Sequence, residues 1–173
     1  IESYLNGEEM EFLQYGRPMY PPHIWQMFMK FVEWWEEYNP TLIEAEVHLF
    51  SDELKIAGTC DLVCEINGEL WVIDFKTSNH LQTTYDLQAA MYAKCFEECF
   101  GKKVDRTGIL WLKSSKRSEG KKPGIYQSKG WEIKQIDNID DNFELFKTIY
   151  SLYKLDNPTI EPIYNSYPTK VKL

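Results

Sequence analysis

The sequence predicts an α/β fold in which helices flank a central β-sheet. Three observations lead to this prediction: three strand-like stretches follow one another, a helical stretch comes next, and a strand that reads as buried follows the helix. These core elements lie at about 43–50, 54–65, 69–76, 83–100 and 104–113. The helix stops at Gly101, because glycine readily adopts the left-handed conformation that ends helices. With a helix ahead of them, the elements follow the order αβββαβ.

Further elements are predicted on both sides of this core. Apolar residues recur at helical spacing from Trp25 to Trp35, which indicates an amphipathic helix over 23–38 that Pro40 ends. The remaining predicted elements are a helix over 1–15, strands over 123–127 and 131–137, a helix over 139–155, and an irregular or edge-strand tail over 157–173.

The second and third core strands are predicted to form a hairpin. The dipeptide Asn67-Gly68 lies between them and favours a tight two-residue turn. Asp61 and Asp74 stand six to seven residues from the turn on opposite strands, so folding the hairpin brings them near each other. Apolar strands do not carry such charges without a reason, because burying an unpaired charge is costly.

A lysine joins the two acids. Asp74 and Lys76 share a strand face because side chains alternate along a strand, whereas Phe75 points the other way. Two carboxylates suit a hard divalent cation such as Mg²⁺ or Mn²⁺, which activates a bound water and screens the charge of a phosphodiester. Lys76 would orient that water or stabilise the transition state. The alternative is a surface hairpin with an ordinary ion pair between Asp74 and Lys76.

These residues form part of a longer pattern that resembles a known family. Three short motifs follow one another along the chain: Gly58-x-x-Asp61, Asp74-x-Lys76 and Gln88-x-x-x-Tyr92. Their order and spacing resemble the PD-(D/E)XK nuclease superfamily, and most of all its RecB-like exonuclease branch, as found in phages and in the mitochondrial genome-maintenance exonuclease. The resemblance runs over about 44–93.

The resemblance implies a fold and a set of roles. The fold is a restriction-endonuclease-like core, a mixed central β-sheet flanked by helices. The acids Asp61 and Asp74 would bind the metal and Lys76 would be catalytic. Gln88 and Tyr92 would position the substrate or support the site. The reaction would leave a 5′-phosphate and a 3′-hydroxyl.

Other residues near these motifs are further candidates. Family members often carry an acid on the element before the Gly-x-x-Asp strand, where this chain offers Glu44 and Glu46 on one strand face. Position in the alternation favours Glu46 as a metal ligand, and a solvated polar face is the alternative. The Phe75 carbonyl is a candidate backbone ligand. Thr77 and Ser78, which complete a run typical of the branch, are candidate substrate contacts.

The family pattern usually includes a histidine in an N-terminal helix, and none of the three histidines of this chain fits that place. The chain opens on Ile1 inside a stretch that reads as helical. We therefore expect a single nuclease domain over 1–173 that lacks its native N-terminal segment, with the family histidine just upstream of Ile1.

Charge is distributed unevenly along the chain. Its net charge is −8, yet 102–122 holds eight basic side chains against two acidic ones. This segment could supply phosphate contacts, with Lys113, Lys116 and Arg117 as the candidates. The alternative is a solvated basic loop, because 114–122 has loop composition.

Four cysteines raise the question of a metal cluster. Some RecB-like nucleases hold an iron–sulfur cluster with one cysteine before the nuclease core and three after it, an arrangement that this chain lacks. Cys60 and Cys64 lie four residues apart on a strand, about 13 Å, which is too far to share one metal ion. Cys95 and Cys99 are only two ligands. We expect free thiols and no iron–sulfur cluster.

The leading functional prediction is a Mg²⁺- or Mn²⁺-dependent DNA exonuclease. The alternatives are an endonuclease or junction resolvase of the same fold and a non-catalytic nucleic-acid-binding domain. No apolar run is long enough to span a membrane and no signal peptide is seen, so we expect a cytoplasmic protein with DNA as its partner, in the host cytoplasm if a phage encodes it. Mitochondrial import is the alternative if a leader precedes Ile1, and the oligomeric state is left open.

Overall fold

The computed structural model describes residues 1–113 and 130–158. The helices are α1 (Glu2–Leu5), α2 (Pro22–Tyr38), α3 (Thr84–Phe100) and α4 (Ile139–Asp156). The strands are β1 (Leu13–Gln14), β2 (Arg17–Pro18), β3 (Thr41–Ser51), β4 (Ile56–Ile66), β5 (Glu69–Lys76), β6 (Arg106–Trp111) and β7 (Glu132–Gln135). In the described part of the chain, no helix is both long enough and apolar enough to cross a lipid bilayer.

Five strands form the central sheet in the order β3-β4-β5-β6-β7. Neighbouring strands are antiparallel except β5 and β6, which run parallel. Parallel neighbours need a crossover connection, and α3 provides it. The predicted mixed α/β sheet with flanking helices is therefore confirmed.

The hairpin of β4 and β5 forms as its turn residues require. Asn67 and Gly68 both have positive φ, at 54° and 81°, which is the backbone of the two-residue turn that matches strand twist. The turn fixes the register, in which Ile66 faces Glu69 and Leu62 faces Ile73. Asp61 and Asp74 are the next residues on the two strands.

Helix α3 packs closely on the sheet because its inner face includes small residues. Ala89, Ala90 and Ala93 are fully buried, and Tyr92 and Phe96 lie beside them. The helix ends at Gly101, whose φ of 64° is left-handed and whose N–H bonds the Glu97 carbonyl. The predicted helix boundaries are thus confirmed to within one residue.

Two large apolar clusters hold the layers together. One joins α2 to the sheet through Phe31 and Trp34, both fully buried, with Leu62, Ile73 and Leu110. The other joins α3 to the sheet and contains Val47, Leu49, Cys60, Val63, Val72, Tyr92, Ala93, Cys95, Phe96 and Val104. Residues of β4 and β5 contribute to both clusters, as expected of central strands covered on both faces.

The N-terminal prediction is wrong beyond its first turn. The helix predicted over 1–15 ends at Leu5, and β1 and β2 form a small hairpin through Tyr15 and Gly16, whose φ angles are 53° and 74°. Gly7 is also left-handed, at 81°, and a helix cannot continue through it.

The remaining predictions fare differently. Helices α2 and α4 lie where the sequence placed them, and the strand predicted over 131–137 is β7. The strand predicted over 104–113 is shorter, at Arg106–Trp111. The strand predicted over 123–127, the 114–122 loop and all of the tail after Pro158 lie outside the described residues.

We predict that Gly68→Ala destabilises the protein by about 1 kcal/mol, because a Cβ is unfavourable at a φ of 81°. No heavy atom lies within 4 Å of the added Cβ, so the loss would come from the backbone alone. Urea denaturation measures it, with Asn67→Gly as the control that keeps or raises stability. An unchanged free energy of unfolding for Gly68→Ala would contradict this account of the turn.

Candidate active site

The central sheet forks at Asp61 and Asp74. The β4–β5 ladder ends at the pair Leu62 and Ile73. Farther from the turn, β5 pairs only with β6, as far as Lys76, and β4 pairs only with β3, back to Ile56. The two acids are therefore the first residues after the strands part, and a gap between strands opens beside them.

Asp61 bridges the gap with its side chain. Its Oδ2 accepts a hydrogen bond from the Phe75 backbone N–H at 2.6 Å, in place of a strand-to-strand backbone bond. Burial raises the pKa of Asp61 to about 6; the Phe75 N–H opposes this shift, and the negative charges of Asp74 and Glu46 add to it. The carboxyl is thus costly to ionise in the metal-free protein, as expected where like charges are held together.

Asp74 and Lys76 form a buried ion pair on the α3 side of the sheet. Lys76 Nζ lies 2.6 Å from Asp74 Oδ2, and the side chains are 17% and 6% exposed. Phe75 points to the other side and packs on Phe31 at 5.4 Å between ring centroids. The predicted division of faces is therefore seen, and the alternative of an ordinary surface ion pair does not fit this burial.

The charge of the Asp74 carboxylate is only partly compensated. Its buried Oδ2 is paired with the Lys76 ammonium at 2.6 Å. Burial raises the pKa of Asp74, and the Lys76 ammonium opposes that shift. Because the pKa stays raised in spite of Lys76, a further positive charge beside this carboxylate would be favourable.

Helix α3 holds Lys76 from above. Lys76 Nζ donates to Gln88 Oε1 at 2.8 Å, and Gln88 Nε2 donates to the Tyr92 hydroxyl at 2.9 Å. The ammonium also lies 4.7 Å from the ring centroid of Tyr85, a cation–π contact. Gln88 and Tyr92, which the sequence placed on one helix face, therefore reach the site together. Burial raises the pKa of Tyr92, and the nearby negative charge of Asp74 adds to it.

Glu46 lies beside the site and has an unusual backbone conformation. Its φ is 53°, a left-handed value that is rare within a strand. The neighbouring pairs Ala45–Leu62 and Val47–Cys60 place Glu46 opposite Asp61, but those two residues form no ladder pair. Residues held in such conformations gather at functional sites.

A pocket of about 340 Å³ opens between α1 and the fork. Its lining residues are Ile1, Glu2, Ser3, Leu5, Ala45, Glu46, Asp61 and Phe75. Glu44, in contrast, pairs with Val63 and is not among the lining residues. Of the two acids between which the sequence did not choose firmly, the structure brings Glu46 to the site.

The loop after β5 is anchored by a tryptophan. Trp111 Nε1 donates to the Ser78 carbonyl at 2.7 Å, and Ser78 Oγ donates to the His80 carbonyl at 2.8 Å. The Ser78 hydroxyl proton is thus used within the loop, whereas Thr77 is exposed. No local signal in the sequence reveals this anchoring role of Trp111.

The other predicted residues lie apart from this centre. Lys113 is exposed just beyond β6, and Lys116 and Arg117 lie outside the described residues. The four cysteines are free, and the single S–H of Cys60 is within hydrogen-bond distance of two carbonyls, those of Leu62 and Ile73. Burial raises the pKa of the Cys60 thiol to about 12, which keeps it protonated.

The donors at the fork fit a hard cation by their chemistry. Asp61, Asp74 and Glu46 offer carboxylate oxygens, and Mg²⁺ is commonly held by one or two carboxylates together with waters. Over residues 1–113 and 130–158, however, no three His, Cys, Asp or Glu side chains surround one metal position. The arrangement can supply two acids and an ammonium but not a closed, all-protein metal cage.

Comparisons with known proteins agree with this geometry. The model of the PD-(D/E)XK nuclease superfamily matches residues 12–165. The Gene 69 protein of Mycobacterium phage L5 is 28% identical over 94 residues, which are 54% of this chain and 32% of that protein. The chain thus spans about a third of the length of this phage relative.

A solved structure shares the fold. A candidate exonuclease from Eubacterium rectale superposes with a TM-score of 0.51 at 13% sequence identity, covering 92% of this chain and 66% of that one. At so low an identity the likeness concerns the fold alone, and it agrees with the mixed sheet described above.

We predict that Glu46→Gly is more stable than Glu46→Ala by about 1 kcal/mol, because only glycine relieves the left-handed backbone. This reverses the usual order inside strands, where alanine is preferred. Urea denaturation of the two variants measures the difference, and both lack the carboxylate, so charge cancels. A more stable alanine variant would show that the backbone at residue 46 is not strained.

We predict that Asp61→Asn stabilises the metal-free protein near pH 7.5 by on the order of 1–2 kcal/mol. The difference of about two units between the folded and the ordinary pKa of Asp61 sets the upper limit of this gain, and solvent screening reduces it. The folded pKa of about 6 exceeds the ordinary 3.8, so the wild type loses stability as pH rises from about 4 through 6. The advantage of Asn should therefore shrink at pH 4.5. Chemical denaturation in EDTA at both pH values tests this, and a pH-independent difference would contradict it.

Proposed function

Because the chain belongs to the PD-(D/E)XK nuclease superfamily, we propose that it is a divalent-metal-dependent DNA exonuclease that leaves 5′-phosphates. The observation that carries the proposal is the position of Asp61 at the fork, bonded to the Phe75 N–H and within electrostatic range of Asp74 and Lys76, which form a largely buried ion pair. A hydrolytic nuclease of this superfamily needs acidic side chains that hold a metal ion and a fixed, positively charged side chain. Both kinds of group lie at the fork in this chain. Metal dependence, DNA as the substrate and exonucleolytic cleavage are the proposed refinements.

The acids would hold Mg²⁺ or Mn²⁺. Asp61 and Asp74 are the proposed ligands, with Glu46 assisting from the pocket wall and the Phe75 carbonyl as a backbone donor. The bound ion would supply Lewis-acid activation of water and of the scissile phosphate. The protein's own part is to keep the carboxylates together, which the Phe75 N–H bond to Asp61 does in the folded chain.

Lys76 would act on the reacting phosphate or the attacking water. Its ammonium is fixed by Asp74, Gln88 and the Tyr85 ring, so it needs little reorganisation when charge develops. Gln88 and Tyr92 would then support substrate binding through Lys76. Exposed Thr77, the Ser78 loop and the basic residues Lys113, Lys116 and Arg117 are the proposed contacts to the DNA backbone.

Exonuclease activity is favoured over the alternatives because the motifs of the chain resemble the exonuclease branch. An endonuclease or junction resolvase would use the same residues with another substrate geometry. A non-catalytic binding domain would have no need of two acids and a lysine gathered at one point, with one of the acids buried.

We predict that the protein degrades linear DNA in Mg²⁺ or Mn²⁺, leaves closed circles intact and is inactive in EDTA. Lys76→Ala should lower kcat by about 100-fold or more, the usual cost of losing one charge-stabilising donor. End-labelled linear and circular substrates, single- and double-stranded, give the measurement. The matched control is Lys94→Ala, another partly buried lysine in ion pairs, here with Glu97 and Asp140.

Each outcome distinguishes one reading. Cutting of circles would replace exonuclease by endonuclease. Full activity of Lys76→Ala, or equal losses in Lys76→Ala and Lys94→Ala, would remove Lys76 from the proposed role. DNA binding without cleavage in every metal would favour the non-catalytic domain.

A further inference from the structure

We propose that Gly58 is a positioning residue for Lys76. Its missing side chain makes room for the Tyr92 ring against β4, and that ring, through Gln88, sets the place of the lysine ammonium. The inference rests on the proposed nuclease function for its kinetic consequence, but its structural part stands on contacts alone.

Gly58 is required for space and not for backbone freedom, because its φ lies outside the left-handed region. A Cβ built at this position would lie 2.8 Å from Tyr92 Cε1, closer than real Cβ atoms come to other atoms. It would also lie 3.5 Å from the Tyr92 hydroxyl and 3.6 Å from Cζ. Any other residue at 58 must therefore displace the tyrosine ring.

The ring has little freedom to absorb that displacement. Tyr92 is only 7% exposed and packs in the cluster that joins α3 to β3, β4 and β5. Protein interiors are close-packed, so a buried ring moves only together with its helix or by a side-chain rotation that carries its hydroxyl to another place. The hydroxyl is the end that matters, because it bonds Gln88.

The hydrogen bonds from Tyr92 to the lysine have one possible polarity. An ammonium only donates, so the oxygen of the Gln88 amide must face Lys76, at 2.8 Å. The NH₂ group of the same amide then faces the Tyr92 hydroxyl, at 2.9 Å. Displacing the hydroxyl removes the second contact of the amide, so the Gln88 side chain shifts and carries its oxygen away from its present position at the ammonium.

Strand β4 therefore helps to place both Asp61 and Lys76. It carries Asp61 itself, and three residues earlier it carries Gly58, against which the Tyr92 ring packs. A shift of the ring would alter the distance between the Lys76 ammonium and the acids without touching either acid. Positional errors of about 1 Å at a catalytic group can cost on the order of 100-fold in rate.

The kinetic test uses Gly58→Ala with Gly108→Ala as the matched control. Gly108 is likewise a strand glycine, although buried where Gly58 is half-buried, and its Cβ would lie 3.0 Å from the Lys134 carbonyl, with Tyr92 not among its nearest atoms. We expect Gly58→Ala to lower kcat by about 10- to 100-fold with KM for DNA changed by less than about twofold. Gly108→Ala should lower Tm but keep kcat well below its Tm. Equal kcat losses in both variants would overturn the proposal.

The double variant separates positioning from general damage. In a Gln88→Ala background the link to Lys76 is already broken, so adding Gly58→Ala should lower kcat by less than about twofold. If the two losses multiply, Gly58 does not act through Gln88 and the proposal fails.

A structural arm keeps the inference independent of the activity. In a crystal structure of Gly58→Ala, the Tyr92 hydroxyl should be displaced and the Lys76–Gln88 hydrogen bond lost. Persistence of both contacts near 2.8–2.9 Å would overturn the proposal even in an active enzyme. A wild type without nuclease activity would instead defeat the proposed function, and the structural arm would still decide whether Gly58 positions Lys76.

Discussion

The hydrogen bond from the Phe75 N–H to the Asp61 carboxylate is the contact on which the site depends. At this point β4 and β5 separate, and a side chain takes over the pairing that backbones provide elsewhere in the hairpin. The bond satisfies a backbone donor that would otherwise be lost at the fork, and it fixes an acid beside a second acid and a lysine. The raised pKa values of both acids reflect the cost of holding them there.

The two faces of the sheet contribute differently to this arrangement. On the α2 side, Phe31 packs on Phe75 and gives the middle residue of the Asp-Phe-Lys triplet a fixed position. On the α3 side, polar side chains of the helix reach Lys76 directly. One strand segment is thus held by apolar packing from below and by hydrogen bonds from above, which suits a site that must be rigid and charged at once.

Much of this could be read from the sequence where the determining interactions are local. Asn67-Gly68 fixes a turn by its own backbone preferences, so the closeness of Asp61 and Asp74, each one residue beyond the last paired residues, follows by counting residues. Strand alternation placed Asp74 and Lys76 together, and helix periodicity placed Gln88 and Tyr92 together.

The features that could not be predicted from the sequence depend on contacts between residues far apart in the chain. The left-handed backbone of Glu46 and the anchoring of the Ser78 loop by Trp111 both arise from packing between separate elements. The helix predicted over 1–15 is wrong beyond Leu5, because Gly7 adopts a left-handed backbone through which a helix does not continue.

Helix α3 has two duties, as the crossover between parallel strands and as the support of Lys76, and this restricts how the chain can vary in length. Adding one residue within the helix between Tyr85 and Gln88 would rotate the amide by about 100° and turn it away from the sheet. The segment joining the helix to β6 is held as well, because Val104 is buried in the α3 cluster and the Asp105 carboxylate accepts a hydrogen bond from the Leu70 N–H. Relatives of this protein should therefore keep a constant residue count from Asp74 to Tyr92.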